Sequence, residues 1–415
     1  MKPIKSAALA VRMARRQGLR AVTERALREA QRKLASGTDP DFPLLAGDVA
    51  DSGRLLLADP ARPAPGPLTI GWITTPAAHG SGGHTTMFRM VRALEAAGHR
   101  CILYLYDRKP CDLERHTAVI RSGWPELAAE VRDVRTGVSN VDALVATSWP
   151  TAHVLATHGA TVPATRFYFV QDYEPYFYPH GSAYALAEDT YRFGFHGITA
   201  GGWLADVLAD RFGMSCDAFP FGADTNTYHL RPAPAAAGVG SDRTGVVFYA
   251  KPHAARRAYD LGILALGQFS RTHPHVEIHL FGDRVRDLPF PATGHGQLTP
   301  AQLNELYNRC LAGLSLSMTN VSLIPWELLA AGAIPVVNDA VHNRRVLANP
   351  EVVWARATPQ GLADALRAVV DGPAALARAT AANTSVQGVS WETASRHVVE
   401  AVERACRGRT STRRV

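Results

Sequence analysis

With 415 residues, 47% of them apolar, the chain has material for two or three domains, each with a sizeable core. No apolar run is long enough to span a bilayer, and no apolar segment with a cleavage site follows the basic start, so neither a membrane span nor a secretory leader is expected. The net charge of +7 sits at the ends, +8 in residues 1–36 and +5 in 404–415, which leaves a mildly acidic body unsuited to a nucleic-acid groove.

Residues 4–34 read as one helix, with Ile4, Ala8, Val11, Leu19, Val22, Leu27, Ala30 and Leu34 on one face and arginines on the other. Such a helix docks either on its own protein or on anionic lipid headgroups. Residues 36–66, rich in Pro, Gly and Asp, read as an irregular linker. From residue 68 short apolar runs alternate with helical stretches. Strands are expected at 68–74, 100–107, 141–147, 164–172 and 195–201, with helices at 84–97 and 202–213 among them. After "RPAPAAAGVGSD" (231–242) a second series begins. It has strands at 244–251, 276–283, 312–317 and 334–339, and helices near 258–271, 300–309 and 325–331. The pattern implies an α/β protein with two doubly wound parallel sheets and a ligand crevice at their strands' carboxyl ends.

The five cysteines, Cys101, Cys111, Cys216, Cys310 and Cys406, are scattered without metal-ligand spacing. They point to a reducing cytoplasm and away from structural zinc. "HGSGGHTT" (79–86) follows the first strand. As a dinucleotide fingerprint it lacks the third glycine, although Asp107 does close the next strand. As a P-loop it fails, because no Gly-Lys-Ser/Thr follows. What remains is a glycine pair, Gly82 and Gly83, opening a helix whose free N–H groups suit an anion.

"FPFGADTNTYHL" (219–230) resembles the segment joining the two domains of family 4 GT-B glycosyltransferases. "GVSWETASRHVVEAV" (388–402) resembles that family's closing helix. "VVFYAKP…RR", "IHLFGD", "LTPAQLNELYNRCLAGLSLS" and "PWELLAAGAIPVV" lie between them in the family's order. "GSGGHTTMFRM" and "YFVQDYEPYFYPHGSAYALAEDTYRFG" (168–194) look like bacterial rhamnosyltransferases of S-layer and surface-polysaccharide glycans. The resemblance implies a GT-B fold: a basic N-terminal helix and linker (1–66), an acceptor domain (67–225), a nucleotide-sugar domain (226–387) and a helix crossing back with a basic tail (388–415). It implies a dTDP-β-L-rhamnose donor, a glycan or lipid-linked glycan acceptor, and retention of anomeric configuration. A UDP- or GDP-sugar donor and a non-catalytic GT-B-like binding protein are the alternatives.

Family positions map onto the chain residue by residue. Lys251 and Arg256 or Arg257 stand where the family holds the diphosphate, with Lys251 replacing an arginine. Glu327 matches the carboxylate that accepts from ribose hydroxyls. Thr319 stands where the family usually has a second glutamate, so Asn320, Val321 and Ser322 are expected to offer backbone N–H groups instead. From their place after a strand, Gly282 and Asp283 are expected to shape the nucleotide pocket, and His295, Gly296, Gln297 and Leu298 to border the base; a plain surface turn is the alternative for all of them. Gln171 and Asp172 replace a family histidine. Asp172 and Glu174 are expected to orient sugar hydroxyls, with Asp172 the base if the chemistry inverts configuration, or one of the two caps the following turn. If it retains, Lys251 and the Gly82 and Gly83 amides hold the departing phosphate. His84 contacts the acceptor or caps its own helix, and Tyr173, Tyr176, Phe177 and Tyr178 offer flat faces to sugar rings, with core packing the alternative for some of them. No cofactor is expected. No Asp-x-Asp pair closes a strand of the body, so no metal is expected to carry the diphosphate; cations and helix N-termini must do so. The protein is expected in the cytoplasm, on the inner membrane face if its first helix binds lipid.

Overall fold

The computed structural model describes residues 42–109, 111–231 and 243–408. The expected helix at 4–34 and the last basic residues, 409–415, lie outside that range. From Ala46 onward the chain builds two parallel sheets.

The first runs β1 (Thr69–Thr74), α1 (Gly82–Ala96), β2 (Arg100–Leu105), α2 (Leu113–Gly123), β3 (Glu130–Asp133), β4 (Ala143–Ala146), α3 (Trp149–His158), β5 (Thr165–Val170), α4 (Ser182–Asp189), β6 (His196–Ala200), α5 (Gly202–Phe212) and β7 (Cys216–Phe219). Its seven strands lie in the order β3-β2-β1-β4-β5-β6-β7. The second runs β8 (Gly245–Ala250), α6 (Tyr259–Thr272), β9 (Ile278–Gly282), β10 (Thr293–Gly296), α7 (Pro300–Arg309), β11 (Cys310–Ser315), α8 (Ile324–Ala330), β12 (Ile334–Asn338), α9 (Val341–Val346), β13 (Val353–Ala355), α10 (Pro359–Val370) and α11 (Ala375–Thr384). Its order is β10-β9-β8-β11-β12-β13, and α12 (Trp391–Arg407) ends the described chain.

All nine expected strands are present. The four that sequence reading missed, β3, β7, β10 and β13, are the outer strands of the two sheets. The inner strand β5, "TRFYFV", is buried along almost its whole length and reads as an apolar run. The outer β3, "EVRD", and β10, "TGHG", are covered on fewer sides and carry little apolar signal. Helix α3 was missed for the opposite reason: eight of its ten residues are buried, which erases the helical period.

The stretch expected as a linker holds, from residue 46, a single 3-10 turn, yet it is fixed to the first sheet. Asp48 accepts from Tyr106 Oη (2.7 Å) and pairs with His158 (2.9 Å). Arg166, buried, donates to the carbonyls of Ala58, Gly159, Ala160 and Val162. At the other end α12 packs on α1 and β7. His99–Glu403 (3.1 Å) and Arg404–Asp217 (2.7 Å) hold it there. Gly222 lies so close to α12 that a Cβ would sit 2.6 Å from the Trp391 backbone nitrogen, which requires glycine in that crossing.

Candidate active site

Each sheet order reverses between two strands, β1 and β4 in the first and β8 and β11 in the second. Crevices form at such points beyond the carboxyl ends of the strands. Lys251 follows β8 directly, and Asp283 follows β9. Gly282 has φ +111°, and a Cβ there would lie 2.6 Å from the Ala250 carbonyl. This close approach lets the Asp283 amide donate to Ala250 O (2.9 Å) and brings its carboxylate to Lys251 Nζ (2.7 Å). Gly282, Asp283, Arg284, His295 and Gln297 line a cavity of about 350 Å3. Gly296, at φ +66°, turns the backbone between the last two of these. The sequence-predicted base-side residues therefore converge, except that Leu298 is half-buried beyond the lining. His295 is oriented by His279 (3.2 Å), which faces Glu277 (3.3 Å).

Arg256 and Arg257 lie in a 3-10 turn before α6. The turn is tied to the loop after β11: Arg256 O accepts from Met318 N (2.9 Å), and Arg257 donates to Ser317 Oγ. Ser317 is itself fixed by Asn338, whose amide oxygen accepts from Ser317 N (2.8 Å), and its carbonyl accepts from Asn343 (3.0 Å). Sequence reading missed both asparagines, which carry no motif signal. The loop beyond differs from expectation. Asn320 is buried and spends its amide on Gln171 O (2.9 Å) and Ala200 O (3.2 Å), strapping the two sheets' loops together. Its Oδ1 occupies the Val321 N–H (2.9 Å), so that amide is not free for a ligand. Ser322 Oγ faces Ser315 Oγ (3.4 Å).

Across the cleft, Asp172 follows β5. It is buried, accepts from the Tyr173 amide (2.9 Å) and faces Arg256 Nε at 3.8 Å. Burial raises its pKa to about 6, against the pull of Arg257, Thr319 and Arg256. The Thr319 hydroxyl, buried nearby, makes no hydrogen bond of good geometry, and neither does Arg256 Nε. Asp172 thus faces the Arg256 guanidinium of the opposite half, and the charge of Arg257 acts on the same carboxylate.

Glu174 does not face the cleft as expected. Its Oε2 accepts from the Trp149 amide at the start of α3 and from Tyr168 Oη (3.2 Å). Both donors meet one oxygen, which leaves the other to carry a proton; burial pushes the pKa up to about 8. This carboxyl is an internal anchor. Tyr173 is buried as well, and Tyr178 Oη accepts from the Trp149 indole (3.0 Å). Of the four aromatics only Tyr176 is exposed, while Phe177 lies under the Arg256 guanidinium (4.5 Å).

Gly82 and Gly83 are exposed at the first turn of α1, capped by Ser81. The Gly83 carbonyl accepts from Gln171 Nε2 (3.1 Å). His84 has both ring nitrogens engaged, with Ser81 Oγ (2.8 Å) and Thr75 O (3.3 Å). Only an N–H can bond a carbonyl, so Nε2 carries the proton. Burial lowers the pKa and keeps the ring neutral. His84 shapes the glycine loop, and no ring nitrogen is left to reach an acceptor.

Glu327, on α8, accepts from Tyr307 Oη (3.1 Å). Burial pushes its pKa up to about 7, with Tyr307 opposing, Asp224 reinforcing and Arg89 opposing. Arg89 pairs with Asp224 (2.7 Å) and lies over the Trp391 ring (4.7 Å), joining α1 to both chain crossings. Asp224 lies in the segment 219–230 that resembles the family's interdomain connection, but nothing in the sequence marks a role for it or for Arg89. Among the described residues no group of three or more His, Cys, Asp or Glu side chains is gathered for a metal, and no helix is long and apolar enough to cross a membrane.

Two family profiles match the chain: WsaF, N-terminal domain, over residues 127–200, and WsaF, C-terminal domain, over residues 244–367. Over 344 residues the chain is 32% identical to the O-antigen biosynthesis protein RfbC of Myxococcus xanthus, covering 78% of this chain and 26% of that protein. It thus spans about a quarter of this curated relative. Sucrose-phosphate synthase from Thermosynechococcus elongatus has a similar structure, with TM-score 0.61 at 13% identity over 81% of this chain and 98% of that one. Anabaena HepE, solved with UDP and glucose, gives 0.61 at 14% identity with the same coverage. The fold is GT-B. At such identities these structures establish the architecture alone.

Proposed function

We propose that the protein is a glycosyltransferase of cell-surface polysaccharide synthesis that moves L-rhamnose from dTDP-β-L-rhamnose onto a glycan or lipid-linked acceptor. The observation that carries the transfer reading is Asp172 facing Arg256 Nε at 3.8 Å between the two halves of a GT-B fold, with the charge of Arg257 acting on the same carboxylate. The matches to WsaF domains and to an O-antigen biosynthesis protein support the pathway class. The nucleotide lies in the cavity beside Asp283 and His295, Glu327 accepts from the ribose 3′-hydroxyl, and Lys251, Arg256 and Arg257 hold the diphosphate. In a retaining reaction the sugar–phosphate bond breaks, the acceptor oxygen bonds the sugar, and its proton passes to the departing phosphate. The exposed Gly82 and Gly83 amides and Lys251 stabilise that oxygen. In an inverting reaction Asp172 takes the proton instead; ionised above about pH 6, it is in the form such a base needs.

Protein cations suffice for the leaving group in this reading. Transfer that persists in excess EDTA is the expected result; loss restored by Mn2+ or Mg2+ contradicts it. The basic segment 1–36 brings the enzyme to the inner membrane face from the cytoplasm. Salt-sensitive binding to anionic vesicles, abolished by deleting 1–36 while transfer to a small acceptor continues, is expected. Vesicle binding that survives the deletion contradicts it.

A further inference from the structure

Glu174 is a buried carboxyl that no step of the transfer uses. Burying such a group is costly unless it is hydrogen-bonded. Its two hydrogen bonds, to Trp149 N and Tyr168 Oη, pin the 3-10 turn Glu174–Phe177 at its start. The Trp149 indole, donating to Tyr178 Oη (3.0 Å), pins it just beyond its end. The turn therefore holds a set position beside Asp172 and in contact with the turn that carries Arg256. Tyr176 is 49% exposed on it, the single aromatic among the most exposed large apolar side chains of the described residues. Its ring meets Tyr173 at 4.6 Å and 67°, which steadies it, while the next ring, Phe177, is covered by Arg256.

A steadied aromatic face on a turn that follows Asp172 and holds its next ring under the Arg256 guanidinium suits one kind of ligand. A pyranose ring has an apolar C–H face and a rim of hydroxyls that both donate and accept. We propose that Tyr176 and the Arg256–Phe177 stack form a ledge that binds a neutral pyranose ring of the acceptor glycan, with Asp172 accepting from one of its hydroxyls. The proposal rests on the reading of the cleft as a site of glycosyl transfer. Glu174 acts here as a positioning residue.

The test uses the full-length protein with methyl α-L-rhamnopyranoside and methyl β-D-glucopyranoside as probes, read by saturation-transfer NMR in the presence of dTDP. Ring C–H protons of at least one sugar are expected to show transfer with the wild type and with Tyr176→Phe. With Tyr176→Ala the affinity is expected to fall at least about tenfold, the loss of a well-packed aromatic contact. Binding of dTDP, UDP or GDP, followed in parallel, is expected to be equal in all three proteins. Nucleotide binding with no sugar signal in the wild type, or with undiminished signal in Tyr176→Ala, overturns the ledge alone. Absence of all nucleotide binding overturns the reading of the cleft. Unchanged sugar binding with lost adhesion to phosphatidylglycerol vesicles would reassign Tyr176 to the membrane.

Discussion

Lys251→Ala is expected to lower kcat by about 10²–10³, since one donor aimed at developing charge in a closed cleft is worth a few kcal/mol. Donor KM should change less. In the proposed site much of the diphosphate charge already exists in the ground state and would be shared with Arg256 and Arg257, whereas the bridging oxygen would gain charge only in transfer. The Asp283 contact (2.7 Å) adds a second part to the expectation. An ammonium has three donors, so Lys251 can keep Asp283 and still reach a phosphate. Removing it leaves an unpaired carboxylate near the diphosphate, and Lys251→Ala/Asp283→Asn should recover part of the lost rate. Both side chains are about a quarter exposed, so folding stability should change little. Steady-state kinetics with the donor varied at saturating acceptor, on the single and double variants, checks this. An unchanged kcat would hand the leaving group to Arg256 and Arg257.

Glu327→Gln should show the reverse pattern, a donor KM raised about 10- to 100-fold with kcat nearly kept, because a charge-assisted bond to the ribose becomes a neutral one. The effect should depend on pH. Burial holds the Glu327 pKa at about 7, so the carboxylate is charged above that value and neutral below it. Wild type and Glu327→Gln should therefore converge in donor KM toward pH 6 and separate toward pH 8. Donor KM values at both pH values decide it. A constant ratio would mean that Glu327 does not titrate in this range or does not touch the donor.

Sequence was most informative where burial is two-sided. The inner strands stand out because both faces need apolar residues, and the glycines at 282 and 296 stand out because the backbone needs them. Lys251 stands out because it directly follows the end of a strand. What stayed hidden depends on contacts between distant segments. Glu174 and Asp172 are two residues apart in "QDYEP", yet one turns into the core and the other toward Arg256. No periodicity separates them. Asn320 looks like a loop residue offering amides, and only the fold shows that it spans to Gln171 and Ala200. Arg89 was invisible for the same reason, since its partners Asp224 and Trp391 lie far along the chain.

The most direct measurement of the central claim is a thermal-shift and turnover panel of dTDP-β-L-rhamnose, UDP-glucose and GDP-mannose in excess EDTA. The account predicts that dTDP-β-L-rhamnose raises Tm most and is turned over with release of dTDP, and that Lys251→Ala keeps most of the shift while losing most of the turnover. Preference for UDP-glucose or GDP-mannose would correct the donor and leave the site in place. No shift and no turnover with any of the three would contradict the account.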